Sequence, residues 1–180
     1  IIFCDDDNWL DKNYVQIAYN NLSNGQEIAA IGGQSTVVSN SNNFPNWWEE
    51  YKNGYAVGKQ AQYSQDITWR KYLWGSGLAF KKSIYRNAFE NLNSLLSDRK
   101  GNTLSSGGDT EICMRFILMG YKLYYNESLL FKHYIEPQRI KEDYRDNLFK
   151  SFGKSSEILG LYSRKIDISN YSTPYKLYFL

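Results

Sequence analysis

The first ten residues, IIFCDDDNWL, restrict the fold more than any other stretch. Residues 1–4 are short, apolar and β-prone, the pattern of a strand buried on both faces of a parallel sheet. Asp5, Asp6 and Asp7 follow at once. Adjacent carboxylates repel one another unless water or a cation screens them, so they must emerge where the strand leaves the core. Open α/β sheets bind ligands at that end, outside the carboxyl ends of their strands. Alternation along an extended strand then puts Asp5 and Asp7 on one side, where both can face a single hard cation and the phosphates it carries. The alternative is a solvated turn in which Asp7 or Asn8 caps the next element. A calcium-binding helix–loop–helix is excluded, because Trp9 and Leu10 stand where its oxygen ligand and glycine belong. A chain that opens on an apolar strand also reads as a piece of a longer protein whose domain begins upstream.

The remaining sequence alternates between the two hydrophobic periods. Residues 11–25, DKNYVQIAYNNLSNG, read as a helix capped by Asp11 and stopped by Gly25, with Val15, Ala18, Tyr19 and Leu22 facing inward. EIAAIGGQSTVVS reads as one strand or two, broken at Gly32 and Gly33, and a polar loop then leads into a short helix with Pro45 near its first turn. QDITWRKYLWGSGLAFKK supplies a strand, a glycine-rich turn and a second strand. Ser83 caps a helix over IYRNAFENLNSLLS, whose stripe is Ile84, Ala88, Leu92 and Leu95 or Leu96. TEICMRFILMG is a further helix ending at Gly120, and YKLYYN and LLFKHYI are strands. From about Ile140 the chain is amphipathic and helical. Strands alternating with helices predict the α/β class in one domain.

Composition narrows the function. A length of 180 residues, 42% of them hydrophobic and 22% charged, supports one domain with a proper core. A net charge of +2 excludes a strongly electrostatic nucleic-acid binder, while the basic residues that thicken after Lys132 favour peripheral contact with an anionic membrane surface. No apolar run approaches the roughly 18 to 20 residues that cross a bilayer. Cys4 and Cys113, far apart in apolar patterns, read as buried free thiols of a reducing compartment, which favours a cytoplasmic location. Aromatic residues make up 17% of the chain, and such rings pack well and also stack on sugars.

Three further motifs carry chemistry. In SSGGDTEICMR, Ser106 and Asp109 have the spacing of a capping box, and a carboxylate at a loop-to-helix junction is equally placed to act as a general base, with Glu111 beside it. In YLWGSGLAFKK, Gly75 and Gly77 leave room for backbone to approach a ligand and Trp74 offers a flat face for a sugar, although a tight bend needs the same glycines. The single histidine, His133, follows Lys132 at a strand end and precedes Arg139, a grouping that suits a metal–diphosphate site.

The order of these pieces resembles that of family 2 inverting glycosyltransferases of the GT-A fold. The resemblance runs from Ile1 to about Arg139 and is strongest in GGDTEICMR, where Gly107, Asp109, Glu111 and Arg115 match the family pattern and Gly108 departs from a usual glutamate. It implies a truncated GT-A domain, α/β with a mixed sheet flanked by helices. Residues 1–139 would be its metal- and acceptor-binding half, residues 140–180 an amphipathic helical extension, and the N-terminal nucleotide-binding half would be absent. It further implies that Asp7 binds Mn²⁺ or Mg²⁺ with His133 as a further ligand or a contact to the diphosphate, that Asp5 contacts the donor ribose or supports the site, and that Arg139 lies over the diphosphate. Asp109 would be the catalytic base, Trp74, Gly75, Ser76 and Gly77 would line the sugar and acceptor pocket, and Glu111 would meet the acceptor. The expected partners are a nucleotide-sugar donor and a carbohydrate or lipid-linked acceptor, in surface polysaccharide or glycolipid synthesis. A nucleotidyltransferase that makes nucleotide-sugars and a non-catalytic binding or scaffold module are the alternatives from other classes.

Overall fold

In the computed structural model of the chain, residues 1–41, 43–96 and 107–170 are described. The sheet is organised around one long strand, β5 (Lys122–Tyr134), in which Leu123, Tyr125, Leu129, Phe131 and His133 are buried. Strand β2 (Ile28–Val38) runs parallel to it. Strand β4 (Ala79–Phe80) pairs antiparallel with the other edge of β2, and strands β1 (Asn8–Leu10) and β3 (Gln65–Asp66) pair antiparallel with β5, giving the order β1-β5-β2-β4. The result is a mixed sheet flanked by helices, the α/β class expected from the sequence.

Gly32 and Gly33 do not break β2. Pairing steps from Gly32 opposite Tyr125 to Gln34 opposite Leu130, so β5 bulges outward between those points. A Cβ on Gly33 would stand 1.9 Å from the Leu129 carbonyl oxygen, which is why glycine occupies the crossing. The same bulge joins YKLYYN and LLFKHYI into one strand where two were expected.

Residues 1–3 differ from the buried parallel strand of the sequence reading. Ile2 bridges Ala79 in antiparallel fashion, the Phe3 amide donates to the Leu78 carbonyl (2.9 Å) and the Phe80 amide to the Ile1 carbonyl (2.9 Å). Ile1 is 47% exposed. The glycine-rich turn before β4 produces this pairing by folding β4 back beside the first residues, with the Gly77 amide donating to the Phe3 carbonyl (3.1 Å).

Helix α1 (Tyr14–Asn24) packs on one face of the sheet. Its buried residues are Tyr14 and Ala18, while Val15 and Tyr19 of the expected inner face are 61% and 66% exposed. The Tyr14 hydroxyl sets this rotation by donating to the Gly77 carbonyl at 2.6 Å. Asp11 does not cap the helix: the N-cap is Asn13, and the Asp11 carboxylate accepts the Asn13 amide at 3.0 Å in a turn that precedes the helix.

Helices α3 (Lys82–Phe89) and α4 (Gly108–Leu118) pack on the opposite face. Ser83 lies inside α3 instead of capping it, and α3 stops at Phe89, with Leu92 and Leu95 left exposed. Its continuation is diverted by α4: the carbonyls of Ala88, Leu92 and Asn93 accept from Arg115, and the amides of Leu95 and Leu96 donate to Glu111. Short helix α2 (Trp48–Tyr51) and helix α5 (Glu142–Lys154) enclose a third apolar cluster at the C-terminal end of β5, built on Trp48, Tyr55, Ile135 and Leu148. Helix α6 (Ser156–Asn170) completes the described chain and packs against α4. Among the described residues no helix is long and apolar enough to cross a membrane. Cys113 is buried as expected, but Cys4 is exposed, because residues 4–6 lie on the turn that leaves the first bridge.

Candidate active site

The three aspartates do not continue a strand. The Asn8 amide donates to the Asp5 carbonyl at 3.0 Å and closes a turn through Asp6 and Asp7, so Asp5 and Asp7 are not alternate residues of one extended segment. Asp7 and Asp5 are consequently in different surroundings: Asp5 is exposed, whereas Asp7 is half-buried beside β5. Pairing of Asn8 with His133 brings the Asp7 carboxylate to His133, with Oδ1 3.5 Å from Nε2. The Asn8 side-chain amide donates to Oδ1 at 2.5 Å and Arg139 Nη1 donates to Oδ2 at 3.0 Å. Arg139 comes from a 3₁₀ turn over Pro137–Ile140, where its Nε also donates to the Tyr144 hydroxyl at 3.0 Å. The His133 imidazole beside it, helped by Arg139 and Asn8, holds the Asp7 carboxyl down at about 2.

A cleft of about 430 Å³ opens here, lined by Asp6, Asp7, Trp9, Tyr134, Glu136 and Arg139. Trp9 is half exposed and lies nearly parallel to Tyr134, with ring centroids 6.2 Å apart. Trp9, Tyr134 and Glu136 join the cleft in addition to the residues expected from the sequence. The signal was present for Trp9, since a period of two from Asp7 puts Asp7 and Trp9 on the cleft side and Asn8 inside.

Both oxygens of the Asp7 carboxylate are already engaged, Oδ1 by Asn8 and His133 and Oδ2 by Arg139. Among the described residues no three His, Cys, Asp or Glu side chains converge on a point, so the chain offers the pair Asp7 and His133. Magnesium and similar ions are commonly held by one or two protein groups with phosphate oxygens and water completing the shell. The opposite ends of the Asn8 and His133 side chains, Asn8 Oδ1 and His133 Nδ1, are buried with no hydrogen-bond partner among the described residues.

Asp109 and the glycine-rich turn meet directly. Asp109 lies in the first turn of α4, and its Oδ2 accepts the Gly75 amide at 2.7 Å while Oδ1 accepts the Thr110 amide at 2.7 Å. A Cβ on Gly75 would sit 3.0 Å from Oδ2, so the small residue permits this approach. The space that Gly75 and Gly77 leave is filled by protein groups, the Asp109 carboxylate at the first and the Tyr14 hydroxyl at the second. Ser106, the other half of the expected capping box, lies outside the described residues.

Two expected contacts are corrected. Trp74 is only 8% exposed and its amide donates to Gln60 Oε1 at 2.9 Å, so its ring offers no open face to a sugar. Glu111 has 0% exposure. Its carboxylate accepts from Ser94 Oγ (2.7 Å), the Leu95 and Leu96 amides (3.0 and 2.9 Å), Arg115 (2.8 Å) and the Tyr162 hydroxyl (2.9 Å), which leaves no room for an acceptor. Burial raises its carboxyl, but these hydrogen bonds outweigh burial and leave it lowered. Ser76 is half-buried on the turn between Gly75 and Gly77.

The glycine turn connects these parts: Gly75 bonds Asp109, and Gly77 bonds Phe3, two residues before Asp5. The model of the protein family described as "Glycosyl transferase family group 2" matches residues 1–153. A search among curated proteins finds no match.

Proposed function

Because the chain belongs to glycosyl transferase family group 2 and its domain is that of a glycosyltransferase, we propose that it moves a sugar from a nucleoside-diphosphate donor to an acceptor hydroxyl with inversion, using a divalent cation at Asp7 and His133. The observation that carries this reading is the Asp7 carboxylate held between His133 (3.5 Å) and Arg139 (3.0 Å) at the mouth of an open cleft. A bound cation would neutralise charge on the departing nucleoside diphosphate, acting as a Lewis acid. The oxygen and nitrogen donors suit Mn²⁺ better than Mg²⁺, which prefers oxygen throughout.

The residues divide the remaining work. Arg139 keeps guanidinium N–H groups beyond its bond to Asp7, and a guanidinium fork matches phosphate oxygens. Asp109 takes the proton of the acceptor hydroxyl as that oxygen bonds to the anomeric carbon. The bond from that carbon to the diphosphate breaks at the same time, and its electron pair leaves on the diphosphate oxygen. Attack from the face opposite the leaving group inverts the carbon, and base catalysis of this kind supplies about 10² to 10⁴ in rate. The Gly75 amide fixes one oxygen of the base, which orients the carboxylate before the acceptor arrives. Asp5 sits one turn from Asp7 on the ribose side of this scheme, and Gly75, Ser76 and Gly77 form the wall that carries the base. The acceptor is a carbohydrate or a lipid-linked carbohydrate, with synthesis of a surface polysaccharide or glycolipid as the setting.

Titration calorimetry of the intact protein with UDP, GDP and dTDP, each with and without Mn²⁺, tests the metal and donor roles. Binding of at least one diphosphate should strengthen with Mn²⁺, and Asp7→Asn should remove that increment. Mn²⁺-independent binding, unchanged by Asp7→Asn, would show the metal role to be wrong.

A further inference from the structure

We propose that helix α6 is a positioning element for the base, bracing from behind both partners of the Gly75–Asp109 hydrogen bond. This rests on the reading of Asp109 as the base. The family match ends at residue 153, and α6 begins at Ser156, so the brace is a feature of this chain beyond the matched region.

The hydrogen bond joins two separate elements. Its acceptor is on the first turn of α4 and its donor is in the turn before β4, so its 2.7 Å length depends on how those two elements are held together. Helix α6 bonds to each. On the α4 side, the Tyr162 hydroxyl donates to Glu111 Oε1 at 2.9 Å and accepts from Arg115 Nε at 3.0 Å. Glu111 is two residues beyond Asp109 in the same helix, is fully buried, and cannot shift without disturbing the segment it binds at Leu95 and Leu96. On the turn side, Lys71 Nζ donates to Ser163 Oγ at 2.7 Å and pairs with Asp167 Oδ1 at 2.6 Å. Lys71 has a left-handed backbone, φ +65°, four residues before Gly75, so its direction sets where the turn begins. Two more contacts fix the helix itself. Ser155, at its entry, lies against Gly107, where an added Cβ would come within 3.2 Å, and Ile166 is buried in the interior.

The arrangement matters for rate because a reacting group must be held to about 0.5 Å, and a misplacement near 1 Å costs on the order of 10²-fold. Tyr162 and Lys71 touch neither the cleft residues nor Asp109 in this network, so they act through α4 and the turn.

The test is the double variant Tyr162→Phe with Lys71→Met in the intact protein, read in two ways. Amide hydrogen exchange should rise about tenfold or more at Gly75 while Ala30 and Ile31 in the sheet keep their protection. Nucleoside diphosphate release from UDP-, GDP- and dTDP-linked sugars with Mn²⁺ should fall in kcat by about tenfold with KM for the donor unchanged, and Lys71→Arg should restore part of it. The single Tyr162→Phe removes only the hydroxyl, and it gives the same direction at Gly75 should the double variant lose protection at Ala30 and Ile31. Unchanged exchange at Gly75 would overturn the brace. Asp109→Asn separates the two readings: if it leaves turnover intact, the assignment of the base fails while exchange at Gly75 still decides the role of α6.

Discussion

Asp109 and Glu111 stand two residues apart on the first turn of α4 and do different work. Asp109 is tied to Gly75 in the glycine turn, whereas Glu111 points into the interior and is saturated by Arg115, Tyr162 and the 94–96 segment. Glu111 is therefore a stability residue. Removing one partner of a buried ion pair costs about 3 to 5 kcal/mol. At about 2 to 4 °C per kcal/mol for a chain of this size, Glu111→Gln should lower Tm at pH 7 by roughly 6 to 20 °C. Because the folded carboxyl lies below its ordinary 4.5, the stabilisation is complete above that pH and is lost as pH falls through the lowered value. The gap in Tm between wild type and Glu111→Gln should thus narrow as pH falls below 4.5. A scanning calorimetry series from pH 7 to pH 3 checks this, and a gap constant over that range would show that the charge of Glu111 contributes nothing.

Elements were legible in the sequence where hydrophobic period and terminators agreed, and misread where a single polar anchor redirected the chain. Helix α4 ends just before Gly120 as its pattern expects, and α5 and α6 are helical over Glu142–Lys154 and Ser156–Asn170, while residues 171–180 of the expected extension lie outside the described residues. The inner face of α1 was misread because one hydroxyl, that of Tyr14, rotates the helix toward the Gly77 carbonyl, and no periodicity encodes that bond. The helix expected through Leu96 ends at Phe89 because Arg115 and Glu111, distant in sequence, take its backbone groups. Asp7, His133 and Arg139, picked out by their residue types, come together in space, while Asp5 does not join them on one strand face. Trp74 was not, since an aromatic beside glycines reads the same whether its ring is open or packed. At Gly32 and Gly33 the chemistry was seen and its consequence was not: the pair marks a bulge, not a break. Gly33→Ala should therefore disturb the β2–β5 pairing, and a loss of stability of about 1 to 3 kcal/mol is expected by urea denaturation. Full stability in Gly33→Ala would contradict the close approach to Leu129.

At the scale of the molecule, the aspartate turn carries the chain from residues 1–3, which lie beside β4, to β1, which pairs with β5, and the glycine turn bonds the first of these segments at Phe3, with α4 bonded to the glycine turn and α6 packed on α4. The proposed single displacement needs its cation end and its base end held in fixed relation, and the Phe3–Gly77 and Gly75–Asp109 bonds are what link them. In the proposed reaction Asp109 is the base of that displacement. The most direct measurement of that role is Asp109→Asn in the intact protein, with donor turnover by UDP-, GDP- and dTDP-sugars and binding of the corresponding diphosphate with Mn²⁺ recorded on one preparation. The account predicts that turnover falls by about 10² to 10⁴ while diphosphate affinity stays within about twofold. Turnover at the wild-type rate, or an equal loss of turnover and diphosphate binding, would contradict it and leave Asp109 a structural cap for α4.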